Sequence, residues 1–149
     1  MFIPIKDDAP TTRTPVVTIG LLGVNIAVFM LTWFQGPQWF ELFTKQFGFI
    51  PAELVNGVEV SPLIPASPYL TAFTSMFMHG GWLHLIGNML FMWIYGNNVE
   101  DYLGHVRFLI FYLVSGLAAV ALYTAFAPSS QMPLVGASGA IAGLMGAYM

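Results

Sequence analysis

The chain has 149 residues, of which 57% are hydrophobic and only 7% are charged, whereas a soluble domain usually carries about 25% charged residues. Such a chain cannot cover a water-facing surface, so its long apolar runs predict membrane-spanning helices of about 20 residues each. A formal net charge of -3 without a basic cluster excludes a nucleic-acid partner, and zero cysteines exclude disulfides, thiolate catalysis and cysteine-ligated metals.

The first predicted elements are a polar lead-in and a transmembrane helix. Residues 1–14 are too polar and too interrupted by proline to form a signal-peptide core. The run that follows carries no charge, and Trp33 near its end suits an anchor at the membrane interface. We therefore predict the first transmembrane helix at about residues 15–34.

A long connection, residues 36–80, separates the first span from the second. No helix can run through it intact because prolines interrupt it, at Pro37, Pro51, Pro62, Pro65 and Pro68. Aromatic side chains still fall on one helical face, at Trp39, Phe40, Phe43 and Phe47. Glu41 and Lys45 pair on another face, which predicts a short helix at about 38–47 in the membrane interface. A packed loop outside the membrane is the alternative.

The second predicted span, at about 81–98, carries His84 and Asn88 among its apolar residues. His84 and Asn88 are four residues apart and share one helix face. Polar groups are expensive against lipid, so this face should point to the protein interior or to a water-filled cavity. Hydrogen bonding to neighbouring helices is the structural alternative to a functional role.

The third and fourth spans are predicted at about 106–126 and 135–149. Ser115 and Gly116 form a close-packing point in the third. Small residues alone make up one face of the fourth, at Gly136, Gly139, Ala140, Gly143 and Ala147. Such a face predicts a helix that other helices surround closely. The fourth helix has only about a dozen residues before the sequence ends, too few to span a bilayer. We therefore expect the 149 residues to be the N-terminal portion of a longer protein.

The basic residues predict the orientation of the spans. One side carries Lys6, Arg13 and Arg107, and the other carries Lys45 alone. An excess of basic residues marks the cytoplasmic side, so the N-terminus should be cytoplasmic. His84 and Ser138 then both lie about 5 Å inside helices that start at the outer face, which lets them meet in an externally open cavity.

The stretch Gly136-Ala137-Ser138-Gly139 suggests a nucleophile. A serine hydroxyl needs a base to take its proton, and acyl transfer needs donors for the developing oxyanion. Ser138 at a helix N-terminus supplies a backbone donor, while His84 and Asn88 are candidates for further donors; His84 is equally a candidate base. Helix packing is the alternative reading of this small-residue stretch. It is not a G-x-S-x-G elbow, because position 140 is alanine.

Three motifs occur in order on separate predicted helices. They are FTSMFMHGGWLHLIGNMLF at 73–91, GHVRF at 104–108 and VGASGA at 135–140. Together they resemble the bacterial rhomboid intramembrane serine proteases, over roughly residues 71–149. The implied fold is an all-α polytopic membrane bundle of six transmembrane helices, of which residues 1–149 would supply about four as one domain.

The resemblance also implies a Ser-His dyad that cuts transmembrane protein substrates near the outer membrane face. By motif position Ser138 is the nucleophile, with Gly136 and Gly139 in its motif, and His84 and Asn88 are oxyanion-hole side chains. The implied base is a histidine on the sixth helix, beyond residue 149, which replaces His84 in that role. The implied location is the bacterial plasma membrane, among lipid.

Two positions depart from the family pattern. Many members carry Trp-Arg in the loop before the second helix, where this chain has Leu70-Thr71, and Ala142 stands where some members carry an aromatic residue. The first departure concerns how that loop is anchored, and the second concerns packing on the catalytic histidine.

Other chemistries fit the sequence less well. A metalloprotease needs H-E-x-x-H, which is absent, and an aspartyl protease needs acids inside spans, whereas the acids fall in predicted loops or tails. We expect neither a metal nor a cofactor. The main alternative is an inactive rhomboid-like scaffold that binds client transmembrane helices. A transporter is third, because the polar residues lie near one membrane face instead of the midplane.

Overall fold

The computed structural model describes residues 12–60 and 67–149. Most of the predicted lead-in, with Lys6, lies outside the described residues, as do Pro62 and Pro65. The helices of the described part are α1 (Val16–Trp33), α2 (Pro37–Phe47), α3 (Pro51–Asn56), α4 (Pro68–Thr74), α5 (Trp82–Leu103), α6 (His105–Phe126) and α7 (Ser138–Tyr148), with a 3-10 turn at Ser75–Phe77. Across these ranges the only β pairing is an isolated antiparallel bridge between Phe49 and Leu134. The predicted all-α class is confirmed.

Two of the described helices, α1 and α6, are long and apolar enough to cross a membrane. They have 18 and 22 residues, respectively. Helix α5 also has 22 residues, but polar side chains interrupt its apolar character. Helix α7 has 11 residues in the described part, about 16 Å at 1.5 Å per residue. Spanning by α5 and α7 therefore remains a prediction.

Helix α5 continues further than its predicted end at about residue 98. It runs to Leu103, so that Glu100 and Asp101 lie on the helix and not in a polar turn. Gly104 ends it with φ at 79°, a conformation that glycine adopts without steric penalty. The Gly104 amide donates to the Glu100 carbonyl at 2.8 Å.

The buried Glu100 carboxylate explains this extension, because it caps the start of α1. It accepts hydrogen bonds from the backbone amides of Val17 at 2.9 Å and Thr18 at 2.7 Å, and from the Thr18 hydroxyl at 2.7 Å. Pro15, at the N-cap of α1, makes no side-chain cap of its own. His105 completes the set, with Nδ1 2.6 Å from Glu100 Oε1. Glu100 therefore ties α1, α5 and the start of α6 together.

The partly exposed Asp101 holds the segment before α1 in the same region. Its carboxylate accepts from the backbone amides of Thr12 at 3.2 Å and Arg13 at 2.7 Å. The Arg13 guanidinium reaches Gly104, with Nη1 3.3 Å from where a Cβ on that glycine would lie. Arg13 therefore lies at the same end of the bundle as the start of α6, which carries Arg107.

Helix α7 packs against α5 and α6, and glycine sets its distance from α6. A methyl group added at Gly139 would lie 2.5 Å from the Cβ of Ala119, and one at Gly143 would lie 2.5 Å from the Cβ of Ser115. Neither position has room for a side chain. The backbones of α6 and α7 approach closely at these residues, as small-residue interfaces allow. Apolar residues of three helices complete the core below, among them Met92, Phe108, Tyr112, Ala140, Ile141 and Leu144.

The connection from 36 to 80 is more helical than its prolines suggested. Pro37, Pro51 and Pro68 each occupy the first turn of a helix, where the missing amide hydrogen removes no intrahelical bond. These prolines start α2, α3 and α4 instead of only breaking a longer helix.

Helix α2 has the two faces that the sequence predicted. Lys45 Nζ lies 2.7 Å from Glu41 Oε1 on the exposed face. On the other face, Phe40 packs edge-on against Phe29 of α1, with ring centroids 5.8 Å apart. Phe29 also packs against Trp82, at 5.0 Å, which links this cluster to the first residue of α5. Whether α2 lies in the membrane interface remains a prediction.

Candidate active site

The backbone before α7 is extended and is held from both sides. Leu134 and Phe49 exchange backbone hydrogen bonds of 2.7 and 3.0 Å, and the Gly136 amide donates to the Ser75 carbonyl at 2.8 Å. Gly136 has φ at 120°, which no α-helix contains. These contacts explain why α7 begins at Ser138 and not at the predicted residue 135.

Gly136 lies directly against the polar face of α5. A methyl group added there would lie 2.7 Å from both Cε1 and Nε2 of His84, and 3.4 Å from Nδ2 of Asn88. Only glycine combines this backbone conformation with this close approach. His84 and Asn88 therefore converge on the residue two positions before Ser138.

The hydrogen bond to the His84 ring indicates which of its two nitrogens carries the hydrogen when the ring is neutral. The backbone amide of Gly80 donates to His84 Nδ1 at 3.4 Å, so that nitrogen is the acceptor. In a neutral imidazole the hydrogen then belongs to Nε2. Because Nε2 is the nitrogen next to Gly136, His84 presents a hydrogen-bond donor toward the backbone before α7.

Asn88 presents a second donor on the same side. Its side chain is 7% exposed, and its amide nitrogen makes no hydrogen bond within the described residues. A buried unpaired donor costs roughly 1–3 kcal/mol, so such groups are uncommon without a function. Here the unpaired nitrogen lies beside Gly136, 3.4 Å from where a Cβ on that glycine would be.

Ser138 is the first residue of α7, and its side chain is exposed. The N-cap residue Ala137 provides no side-chain cap, so the first-turn amides lack an intrahelical acceptor. These amides and the helix dipole favour negative charge at this point. A cavity of about 150 Å³ reaches Ser138 from the side of α6, and its polar lining includes Ser75 and Tyr123.

The five residues singled out from the sequence fall into two groups. His84, Asn88 and Gly136 are in mutual proximity, and Ser138 follows at the helix start. Gly139 faces the other way, because its contact is with Ala119 of α6. The structure therefore brings three of the five together, places Ser138 two residues along the chain from them, and gives Gly139 a packing role.

His79 is a further buried group beside the site. It is 1% exposed, and its ring centroid lies 5.2 Å from that of His84 at an interplanar angle of 62°. Burial and the neighbouring His84 lower the pKa of His79 to about 4, while the Phe77 backbone opposes this shift. His79 is therefore uncharged near neutral pH.

Sequence reasoning missed the backbone groups that orient the site. The Gly80 amide sets the tautomer of His84, and the Ser75 carbonyl anchors Gly136. Backbone groups leave no signature in residue types. The glycine pair ahead of α5 was the one available signal, since glycine often marks a close backbone approach.

Comparisons with known proteins agree on one family. The model of the Rhomboid domain matches residues 66–149. RHOMBOID-like protein 6, mitochondrial, from Arabidopsis thaliana is 41% identical over 97 residues, which cover 65% of this chain and 31% of the relative. Rhomboid protease GluP from Bacillus subtilis is 36% identical over 93 residues, covering 62% of this chain and 18% of GluP.

A yeast relative aligns over more of the chain at lower identity. Rhomboid protein 1, mitochondrial, from Saccharomyces cerevisiae is 29% identical over 133 residues, covering 86% of this chain and 34% of the relative. The chain thus spans about a third or less of the length of these three relatives. Because they come from a plant, a bacterium and a yeast, they do not single out a bacterial subtype or compartment.

Proposed function

The chain belongs to the rhomboid family of membrane proteins, and on this premise we propose that it acts as an intramembrane serine endopeptidase. Its substrates would be transmembrane proteins, cut near the outer membrane face. The observation that carries the proposal is the convergence of His84 Nε2 and Asn88 Nδ2 on Gly136, two residues before Ser138. Preorganised donors beside a serine are what acyl transfer requires.

In the proposed reaction, the Ser138 hydroxyl gives its proton to the general base while its oxygen attacks the carbonyl carbon of the scissile peptide bond. The carbonyl oxygen then takes up negative charge, and His84 Nε2–H, Asn88 Nδ2–H and the Ser138 backbone amide donate to it. The unpaired state of the Asn88 nitrogen supports this role, because the donor needs no rearrangement before it binds the oxyanion. The C–N bond then breaks, the amine leaves with the proton returned by the base, and water hydrolyses the acyl-enzyme.

The general base of the dyad is proposed to be a histidine outside residues 1–149. The chain contains three histidines. The His84 ring turns its protonated nitrogen toward the site, His79 is buried behind His84, and His105 pairs with Glu100 at the opposite end of α5. None of these three arrangements suits proton transfer from Ser138, which supports the family pattern of a base on a further helix.

The depth of the site supports a cut near one membrane face. Ser138 is the first residue of α7, and His84 is the third residue of α5. Both lie within one turn of a helix start, far from a midplane position. The cavity beside Ser138 is large enough for several water molecules, and hydrolysis of the acyl-enzyme consumes one. The outer face and the bacterial plasma membrane remain part of the proposal.

The test is covalent labelling together with proteolysis, in the protein as its gene encodes it. A fluorophosphonate should label Ser138, found by mass spectrometry after purification in detergent, and a single-span test substrate should be cleaved. Ser138→Ala should abolish both, because it removes the nucleophile. Ser130→Ala, in the loop before α7, is the matched control and should retain both.

Other outcomes would select other functions. A folded protein that is neither labelled nor active would favour the inactive scaffold that binds client helices. Ser138-dependent labelling of residues 1–149 alone would restore His84 as the base, since no other histidine lies beside Gly136 in the described part.

A further inference from the structure

We propose that His79 is a positioning residue that holds the His84 ring with Nε2–H turned toward Gly136. This inference rests on the proposed function, because the orientation of His84 matters only if His84 donates to the oxyanion. It assigns to His79 a role through ring contact and not through hydrogen bonding.

The His84 ring needs a support beyond its one hydrogen bond. That bond, from the Gly80 amide to Nδ1, is 3.4 Å long, well beyond the usual 2.9–3.0 Å. It fixes which nitrogen carries the hydrogen but holds the ring weakly. His84 is only partly buried, so its ring could swing away from Gly136 unless another group packs against it.

His79 provides such a wall. Its ring packs edge-to-face with the His84 ring, at a centroid distance of 5.2 Å and an angle of 62°, within the range of favourable aromatic pairs. At 1% exposure, the His79 ring is itself fixed by its surroundings. His84 thus lies close to both a fixed ring and the Gly136 backbone, and these two neighbours limit the positions that its ring can take.

The chemistry of His79 suits packing against His84 and does not suit the transfer of a proton or a hydrogen bond to it. Neither ring nitrogen makes a hydrogen bond of standard geometry within the described residues, so the ring contact is its specific interaction with the site. Because burial keeps His79 uncharged near neutral pH, its ring packs as a neutral aromatic ring and adds no charge beside His84.

The inference predicts different kinetic constants for three variants. His79→Leu keeps the position apolar but removes the ring, so kcat on a single-span substrate should fall about tenfold with KM within about twofold, because a misplaced donor weakens transition-state binding. His79→Phe restores an aromatic wall and should recover kcat to within about threefold of the natural protein. Met78→Leu, at a buried neighbour, is the control and should change neither constant.

A double-mutant cycle separates positioning from general structural support. If His79 acts through His84, His79→Leu should have no further effect on kcat in a His84→Ala background. A multiplicative loss there, or equal damage from Phe and Leu at position 79, would overturn the inference. If Leu at 79 prevents folding, the comparison of His79→Phe with the natural protein and the tautomer of His84 by ¹⁵N NMR still decide it.

Failure of the inference is distinguishable from failure of the proposed function. If Ser138→Ala and His84→Ala abolish or lower cleavage while His79→Leu leaves kcat unchanged, only the positioning role is wrong. If Ser138→Ala leaves cleavage intact, the proposed function itself fails, and the role of His79 fails with it.

Discussion

The two ends of α5 carry polar clusters that differ in how their atoms are paired. At the site end, formed by His84 and Asn88, a buried amide nitrogen has no partner within the described residues. We call the other end of α5 the latch end, because its residues hold helices together. It comprises Glu100 and Asp101 of α5 with His105, the first residue of α6. There the Glu100 carboxylate accepts from two backbone amides, a hydroxyl and a histidine. One helix thus holds both an unsatisfied and a satisfied polar cluster.

This difference in hydrogen bonding suggests different roles for the two clusters. The paired groups of the latch end hold helices together, whereas the unpaired donor of the site end is available to a ligand. A satisfied buried carboxylate fixes the elements that donate to it, and removing it strands those donors. A buried unpaired donor is itself a cost to folding, so its removal should not lower the free energy of unfolding. The latch end should therefore govern the free energy of unfolding, and the site end should govern turnover.

The largest expected effect is on turnover at the site end. His84→Ala or Asn88→Ala should each lower kcat by roughly 10²–10³, the usual loss for one oxyanion donor, with little change in thermal unfolding. Leu83→Ala, at an exposed neighbour on α5, should leave kcat unchanged. Cleavage of a single-span substrate and unfolding in detergent measure the two quantities. A loss of stability without loss of kcat would contradict the comparison.

At the latch end the expected effect is on stability. Glu100→Ala should lower the free energy of unfolding by about 3 kcal/mol, because it strands buried donors on α1. Asp101→Ala should lower it much less, since that carboxylate is exposed and its partners can bond to water. Thermal unfolding in detergent, with kcat measured below the transition, tests this pair. Equal losses from the two variants would show that burial of Glu100 is not the reason.

The free energy of unfolding, measured as a function of pH, tests the environment of His79 beside the site end. His79 has a pKa of about 4 in the folded chain, against an ordinary value of 6.5, so the unfolded chain binds its proton first as pH falls. Stability should drop from pH 6.5 and level off below about 4. The full difference corresponds to about 3 kcal/mol, which solvent screening reduces to about 2 kcal/mol.

His79→Leu should remove this part of the pH dependence. The difference between the unfolding curves of the two proteins isolates His79 from the carboxylates that titrate in the same range. A difference that does not change between pH 7 and pH 4 would show that His79 is not held in its neutral form.

An effect of similar size is expected at the contact between α6 and α7. Gly143→Ala should lower the free energy of unfolding by about 2 kcal/mol, because the added methyl group overlaps Ser115. Gly146→Ala is the matched control on the same helix, since a methyl group there meets no atom within 4 Å. It should be neutral or slightly stabilising. If both variants behave alike, close packing of α7 on α6 is not what holds α7 in place.

Much of the helical framework could be predicted from apolar runs. α1 and α6 begin and end within a residue or two of the predicted limits, because an uninterrupted apolar run has few alternative boundaries. The limits of α5 and α7 were harder to predict, since they depend on partners far along the chain. Glu100 extends α5 by bonding to α1, and Leu134 delays α7 by pairing with Phe49.

The candidate site was predictable as a set of residue types but not as a geometry. Helical spacing identified the shared face of His84 and Asn88, and the motif identified Ser138. The tautomer of His84 depends on the Gly80 amide, and the ring contact with His79 depends on the loop between the 3-10 turn and α5. Periodicity carries no information about either, because loops have no repeating pattern.

The bridge between Phe49 and Leu134 has a consequence for the order of assembly. Its two residues are separated in sequence by α3, α4, α5 and α6, so the loop they close is long and contacts of this kind form late in folding. The Leu134 side of the bridge sets the backbone that leads into Ser138. On the proposed function, we therefore expect a newly inserted chain to remain inactive toward neighbouring membrane proteins until its helices have assembled.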